Sequence, residues 1–269
     1  MGHTRLGKLP TTRKWNELVE QVAGTHLSSN VADAAAFDVN AIAAQTLDAS
    51  RTALAKVARD SGVRYTFYLL TQVALASRTS NWEDTLARHG IHLTSSSTVF
   101  DLTVEVQGAI DQYLRRNPTG ATDLSEMAQQ SAGEALLSLA GARTASLFTG
   151  SSTDARNAIR SLSTKTGFGK LGQRFFGRFV ARFLNFYLSR ATAATLGSRR
   201  MQDLGDIGQF NKALQVHCDQ SARIVRDFCG EWYSKTEYQK GIDLGNASKF
   251  LAVAVKKLRS ELAHQRTEL

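Results

Sequence analysis

The chain has 269 residues, of which 42% are hydrophobic and 21% are charged, a balance that excludes wholesale disorder and allows a substantial core. Because prolines number only two and helix-favouring Ala and Leu are frequent, the sequence predicts an all-α, multi-helix globular bundle of about seven to nine helices. The net charge of +9 favours a negatively charged partner.

The sequence of the N-terminal part of the chain indicates helices and lacks the pattern of a secretory signal. The first twenty residues lack the apolar segment that such a signal requires. A helix is expected to begin near Thr11 or Thr12, with one apolar face formed by Trp15, Leu18, Val19 and Val22. Residues 31–60 are rich in Ala and predict further helix.

Apolar runs and cysteines indicate where the protein resides. The best uncharged apolar run, residues 65–77, is too short to span a bilayer, so no transmembrane segment is expected. Cys218 and Cys229 fall on one predicted helix at a separation of about 16 Å, which rules out a disulfide between them. Two reduced thiols are typical of a cytoplasmic protein, and a cytoplasmic location is predicted.

The segment from Val99 to Tyr113 fits two kinds of secondary structure. Phe100, Leu102, Val104 and Val106 alternate with polar residues, as in a half-buried strand. Apolar residues of the same segment also recur at helical spacing over about four turns, with no turn signal between them. The longer pattern favours a helix.

The clearest break in the chain is Asn117-Pro118-Thr119-Gly120, because a residue before proline seldom stays helical. We expect it to separate an N-terminal helical region, residues 1–118, from a C-terminal one, residues 121–269, which could form two subdomains. Helices are predicted in the second region at about residues 122–148, 153–163, 171–196, 206–235 and 247–266.

The positive charge is concentrated in one window. Residues 151–200 contain ten Lys and Arg residues and a single acid, Asp154, so their net charge equals that of the whole chain. A general basic bias would spread these residues, whereas a concentrated one predicts a surface that meets an anion. We therefore expect a basic face at residues 156–200.

Within this window, one predicted helix carries a row of arginines beside an aromatic face. Arg174, Arg178 and Arg182 fall on one narrow strip when the residues are placed at 100° intervals. Next to the strip lie the aromatic residues of the Phe175–Tyr187 face: Phe175, Phe176, Phe179, Phe183, Phe186 and Tyr187.

Three interpretations of this helix are open. The arginines could pair with acids of other helices while the aromatic residues form core. The arginines and their neighbours could instead bind phosphates, which accounts for the scarcity of acids in the window. Alternatively, the Phe175–Tyr187 face could contact a protein partner or an anionic membrane surface.

The second interpretation leads to the main functional prediction. We expect a non-enzymatic binding or assembly protein, with homo-oligomers possible, whose partner is nucleic acid or another protein. The expected contacts to the nucleic-acid phosphates are Arg174, Arg178 and Arg182, with Lys165, Lys170, Arg199 and Arg200 flanking them.

Residues 167–172, Gly-Phe-Gly-Lys-Leu-Gly, match the spacing G-x-G-x-x-G. In a nucleotide-binding loop, such glycines let backbone amides approach a phosphate at the start of a helix. No buried strand precedes them, as a dinucleotide site requires. The sequence therefore favours a glycine-rich linker between helices.

The last predicted helix contains Arg259-Ser260-Glu261-Leu262-Ala263-His264. An Arg and a His at this spacing resemble the R-x(4–6)-H signature of HEPN-type ribonucleases, which are small helical domains. The resemblance implies that His264 acts as general acid or base and that Arg259 stabilises charge on the phosphate. A solvated basic helix end is the competing interpretation.

No metal or cofactor site is predicted. His217, Cys218 and Asp219 are adjacent on a predicted helix, where neighbouring side chains point in different directions and do not converge on one ion. His89 and His92 fall in a predicted loop and are interpreted as structural.

Overall fold

A computed structural model of the chain describes residues 13–23, 39–144, 150–194, 196–197 and 203–264. Helices account for 83% of these residues, and no strand occurs among them. The prediction of an all-α, multi-helix bundle is confirmed. None of the helices in these ranges combines the length and the apolar character that crossing a membrane requires.

The described residues form twelve α-helices and two short 3-10 helices, more elements than expected because several predicted helices are interrupted. The 3-10 helices are Gly141–Arg143 and Ser161–Ser163. The α-helices in chain order are α1 Arg13–Ala23, α2 Val39–Ala49, α3 Arg51–Val57, α4 Ser61–Ala76, α5 Trp82–Ala87, α6 Val99–Arg116, α7 Asp123–Ala140, α8 Ser152–Arg160, α9 Lys165–Ala194, α10 Leu204–Ser221, α11 Arg223–Lys240 and α12 Leu244–His264.

The ambiguous segment is a helix. α6 begins with a capping box in which Thr98 accepts a hydrogen bond from the Asp101 amide and the Asp101 side chain accepts one from the Thr98 amide. Leu102, Val106 and Ile110 are buried on its inner face. Phe100 and Val104, which a strand would have buried beside them, are exposed instead.

α9 begins about two turns before the expected position. Thr164 precedes it, and the Gly167 amide donates to Thr164 Oγ1 at 3.0 Å. The expected linker at residues 167–172 is therefore wrong, because these glycines lie inside a helix. Close packing accounts for glycine at these positions, because a side chain would collide with a neighbouring segment: a Cβ atom on Gly169 would lie 2.5 Å from the Arg226 carbonyl oxygen of α11, and one on Gly172 would meet the Cys229 side chain.

The long helix expected at residues 206–235 is two helices, α10 and α11. α10 is capped by Asp203, and Asp206, its third helical residue, completes a capping box with its side chain. Ala222 separates the two helices, and the Val225 amide donates to the Ala222 carbonyl in a tightened turn. This bend lets both helices pack against α9.

The core surrounds α9, which at 30 residues is the longest of the described helices. Phe67 of α4 lies at the meeting point of several helices. Its ring centroid lies between 5.5 and 6.3 Å from those of Phe168, Phe175, Phe176, Trp232 and Phe250.

The break at Asn117–Gly120 separates α6 from α7, as expected. Contacts cross it: Thr122 Oγ1 donates to Asp60 Oδ2 at 2.7 Å, and buried residues on both sides belong to one core cluster. The division into regions 1–118 and 121–269 stays a prediction.

Candidate nucleic-acid interface

The predicted row of arginines lies along α9, between α7 on one side and α10 on the other. Each guanidinium reaches a carboxylate of a neighbouring helix. Arg174 Nη1 lies 3.0 Å from Asp219 Oδ2, and Arg178 Nε lies 3.4 Å from Glu134 Oε2. Arg182 donates from both Nη atoms to Glu134, with Nη1 at 3.2 Å. The row is thus tied to α7 and α10, as the first interpretation states.

These ion pairs are partly open to solvent. The side chains of Arg174, Arg178 and Arg182 are 36%, 28% and 24% exposed. Pairs at such positions stabilise a fold by about 1 kcal/mol or less, since water and salt screen them. Because Glu134 carries one charge and faces two arginines, a positive charge is left over on this part of α9.

Beside Arg174, the helices enclose a concave surface that we call the basic groove, with a volume of about 440 Å³. Its four basic residues come from α9 and α11 and face one carboxylate from α10. The lining residues are Leu139, Lys170, Gln173, Arg174, Val216, Asp219, Gln220, Arg223 and Arg226.

The cations of the basic groove differ in how they are neutralised. Arg174 is paired with Asp219. Arg226 Nε lies 3.3 Å from Asp227, its neighbour in sequence. Within the described part of the chain, Lys170 and Arg223 form no ion pair, and both are exposed. The groove therefore holds an excess of positive charge.

Asp219 fixes the wall of the groove. Its carboxylate accepts hydrogen bonds from Arg174 and from Gln215, and its carbonyl accepts one from Gln173 at 3.1 Å. Gly177 of α9 allows this approach, since a Cβ atom there would lie 3.0 Å from the Asp219 Cα. The contacts hold α10 against α9 and orient Arg174.

The other predicted phosphate contacts lie elsewhere. Lys165 Nζ is 3.2 Å from Glu231 of α11, and both side chains are exposed. Arg199 and Arg200 lie outside the described residues. Of the seven predicted residues, the structure places Lys170 and Arg174 in the basic groove and Arg178 and Arg182 along the row at Glu134.

Arg223 and Arg226 were missed as candidates. They lie outside the basic window, in a part of the sequence where positive and negative residues nearly balance. Their spacing of three residues places them on one side of a helix, which was the available signal. The packing of α11 on α9 brings them to Lys170, and the linear sequence does not encode that proximity.

The Phe175–Tyr187 face is core. Phe175, Phe176, Phe179, Phe183 and Tyr187 are buried, and Phe186 packs against them at the edge. Burial raises the pKa of Tyr187 to about 12, and the nearby Asp123 charge adds to the effect. In this structure the face presents little surface to a membrane or a partner.

Arg259, one of the two residues that resemble the ribonuclease signature, lines a small apolar cavity. The cavity has a volume of about 10 Å³ and lies among α2, α3, α9 and α12, beside Leu47 and Phe176. A space of this size holds no nucleotide. The backbone of His264 ends α12, and its side chain lies outside the described residues.

The thiols are buried and unpaired. Cys218 and Cys229 are free cysteines on α10 and α11. Burial raises the pKa of both thiols, and the Asp219 charge adds to this for Cys218. A thiol in such a site is a poor nucleophile and a poor metal ligand. In the described ranges, no three His, Cys, Asp or Glu residues cluster in a way that would hold a metal ion.

A second concave surface, of about 370 Å³, lies where α6 and α8 begin and includes Arg143. Helix starts attract anions, but Asp101 and Asp154 already accept hydrogen bonds from the backbone at these two starts. Their negative charges oppose an anionic ligand. The basic groove is the better anion site of the two.

A comparison of the chain with protein-family models, curated proteins and solved structures finds no match. The residues that the fold brings together therefore carry the evidence for the function. Among the described residues, the basic groove combines unpaired cations with a concave shape, and these are the two properties that an extended anion requires.

Proposed function

We propose that this protein binds nucleic acid through the basic groove and the adjoining arginine row, as a non-enzymatic binding or assembly protein. The observation that carries the proposal is the meeting of Lys170, Arg174, Arg223 and Arg226 around one carboxylate. Like charges held together repel, and a polyanion relieves that repulsion.

The distribution of acids supports the groove as the centre of the contact. Asp227 and Glu231 of α11 are exposed, and they pair with Arg226 and Lys165. Such exposed pairs exchange readily with phosphate, because they contribute little free energy. At the far end of α9, Asp123 lies near Tyr187 and makes the surroundings less positive.

The test changes cations of the groove that form no ion pair with an acid of another helix in the described part of the chain. A reversal of Lys170, Arg223 and Arg226 to Glu leaves the inter-helix pairs of Arg174, Arg178 and Arg182 intact. We expect it to abolish binding of labelled oligonucleotides in fluorescence anisotropy at low salt. For the wild type, log affinity should fall linearly with log salt at about 0.7 to 0.9 per phosphate contact.

The matched control reverses three exposed lysines outside the groove, Lys235, Lys240 and Lys249, to Glu. It produces the same change in net charge, so it should weaken binding only slightly. Equal loss in both triple variants would mean that net charge alone attracts the nucleic acid. Normal binding by the folded groove variant would overturn the proposal, and shortened RNA in the same samples would contradict a non-enzymatic role.

We infer a cytoplasmic location, which the two unpaired, buried thiols support. An assembly role further implies complexes with nucleic acid that contain more than one copy of the chain. Light scattering of the protein with and without an oligonucleotide measures this mass directly.

A further inference from the structure

Two apolar side chains share the basic groove with its cations. Val216 of α10 lies in the lining and is 48% exposed, and Leu139 at the end of α7 contributes a second apolar surface. Val216 and Gln220 are four residues apart on α10, so they lie on the same side of that helix. The groove thus combines cations, apolar surface and a side-chain amide.

These three kinds of group match three features by which proteins recognise a nucleotide: its phosphate, the face of its base and the edge of its base. Cations bind the phosphate, and an apolar surface covers the flat face of the base. An amide, which both donates and accepts hydrogen bonds, pairs with the edge of the base. A volume of about 440 Å³ is in the range of pockets that bind single small ligands.

A duplex fits this lining poorly. Its base faces are stacked against one another, and only base edges and the phosphate backbone reach a protein surface. Single strands can expose a base, and proteins recognise them by covering its face. The described lining residues include no aromatic side chain, so Val216 and Leu139 supply the covering surface.

We infer that the basic groove takes one unstacked nucleotide of a single strand. Its phosphate lies at Lys170, Arg223 and Arg226, and its base rests on Val216 and Leu139 with an edge towards Gln220. This inference rests on the proposed function and gives it a substrate class: single-stranded rather than double-stranded nucleic acid.

The experiment compares three labelled probes of equal length: an oligothymidylate, an abasic strand with the same phosphates, and a duplex. The oligothymidylate should bind about fivefold more tightly than the abasic strand, because only the first presents base faces to the apolar surface of Val216 and Leu139. It should also bind more tightly than the duplex at equal salt, even though the duplex carries more charge.

Two matched variants locate the contact. Val216→Ala should weaken oligothymidylate binding by about threefold and leave abasic binding unchanged, since only apolar contact is removed. Val253→Ala on α12 alters a valine of similar exposure, 44%, that does not line the groove, and should change neither. Thermal unfolding of both variants checks that the fold is intact.

The outcomes separate this inference from the proposed function. If the oligothymidylate and the abasic strand bind equally, or the duplex binds best, the single-strand inference is overturned while nucleic-acid binding stands. If Val216→Ala and Val253→Ala behave alike, the base does not rest on Val216 and the inference is likewise overturned. If no probe binds even at low salt, the proposed function fails and the inference falls with it.

Discussion

Glu134 of α7 holds Arg178 and Arg182 of α9, two residues one helical turn apart, with a single carboxylate. Partial burial raises the pKa of this carboxyl, but the hydrogen bond from Arg182 and the charges of both arginines outweigh burial and hold the pKa below its ordinary value of 4.5. The contact stabilises the packing of α7 on α9. It also pairs two arginines of the proposed interface with a carboxylate, which competes with phosphate for them.

Replacing Glu134 by Gln should strengthen nucleic-acid binding. The change frees both guanidiniums for phosphate, and the salt dependence of log affinity should become steeper by about 0.7 to 0.9 for each additional phosphate that the arginines bind. Because the pair is partly exposed, the free energy of unfolding should fall by about 1 kcal/mol or less. Anisotropy titrations and urea unfolding measure the two effects.

The matched control is Glu261→Gln on α12, which makes the same chemical change outside the arginine row. Equal increases in affinity from both variants would show that the arginines of the row do not touch the nucleic acid.

The pH dependence of unfolding gives a second test of the Glu134 contact. The stability that Glu134 contributes is present above its unfolded pKa and is lost as pH falls through its lower folded pKa. The Glu134→Gln variant should lack this component of the pH dependence of unfolding.

Gly169→Ala should destabilise the protein. The new Cβ would lie 2.5 Å from the Arg226 carbonyl oxygen, and backbone at this crossing cannot move without separating α9 from α11. Overpacking of this kind costs about 1 to 3 kcal/mol, and thermal or urea unfolding would detect it. The displacement should also weaken binding, since Arg226 lines the groove.

Gly108→Ala is the opposite case on α6, where an added Cβ meets nothing within 4 Å. Alanine is the better helix former, so this variant should be more stable by about 0.5 to 1 kcal/mol. A loss of similar size in both glycine variants would contradict close packing as the reason for the glycines of α9.

Cys218 and Cys229 should resist thiol reagents in the native protein. Both are fully buried, and burial raises the pKa of each thiol, which leaves little thiolate at neutral pH. Ellman's reagent should therefore label neither cysteine until denaturant is added, when both react. Rapid labelling of the folded protein would show that α10 and α11 open readily at the seam with α9.

Local sequence patterns predicted most of the helical architecture. The apolar face of Trp15, Leu18 and Val22 is buried in α1, and the helical spacing of apolar residues after Val99 marks the buried face of α6. These features depend on residues within one or two helical turns of each other, so all the interacting groups are close in the sequence and the helix can be predicted from them. The predictions failed at residues 167–172 and at Ala222, where packing between distant helices decides whether the chain stays helical or bends.

The sequence by itself determined the fold class, the row of Arg174, Arg178 and Arg182 on one side of a helix, and the concentration of charge around it. Helical periodicity and charge density depend on neighbours in the chain. Only the tertiary structure decided which cations are neutralised, because helix packing places Glu134 and Asp219 against the row. It also decided where unpaired cations meet, because it brings Arg223 into the same groove as Lys170. Electrostatic interaction depends on distance through space, and helix packing sets that distance for residues far apart in sequence.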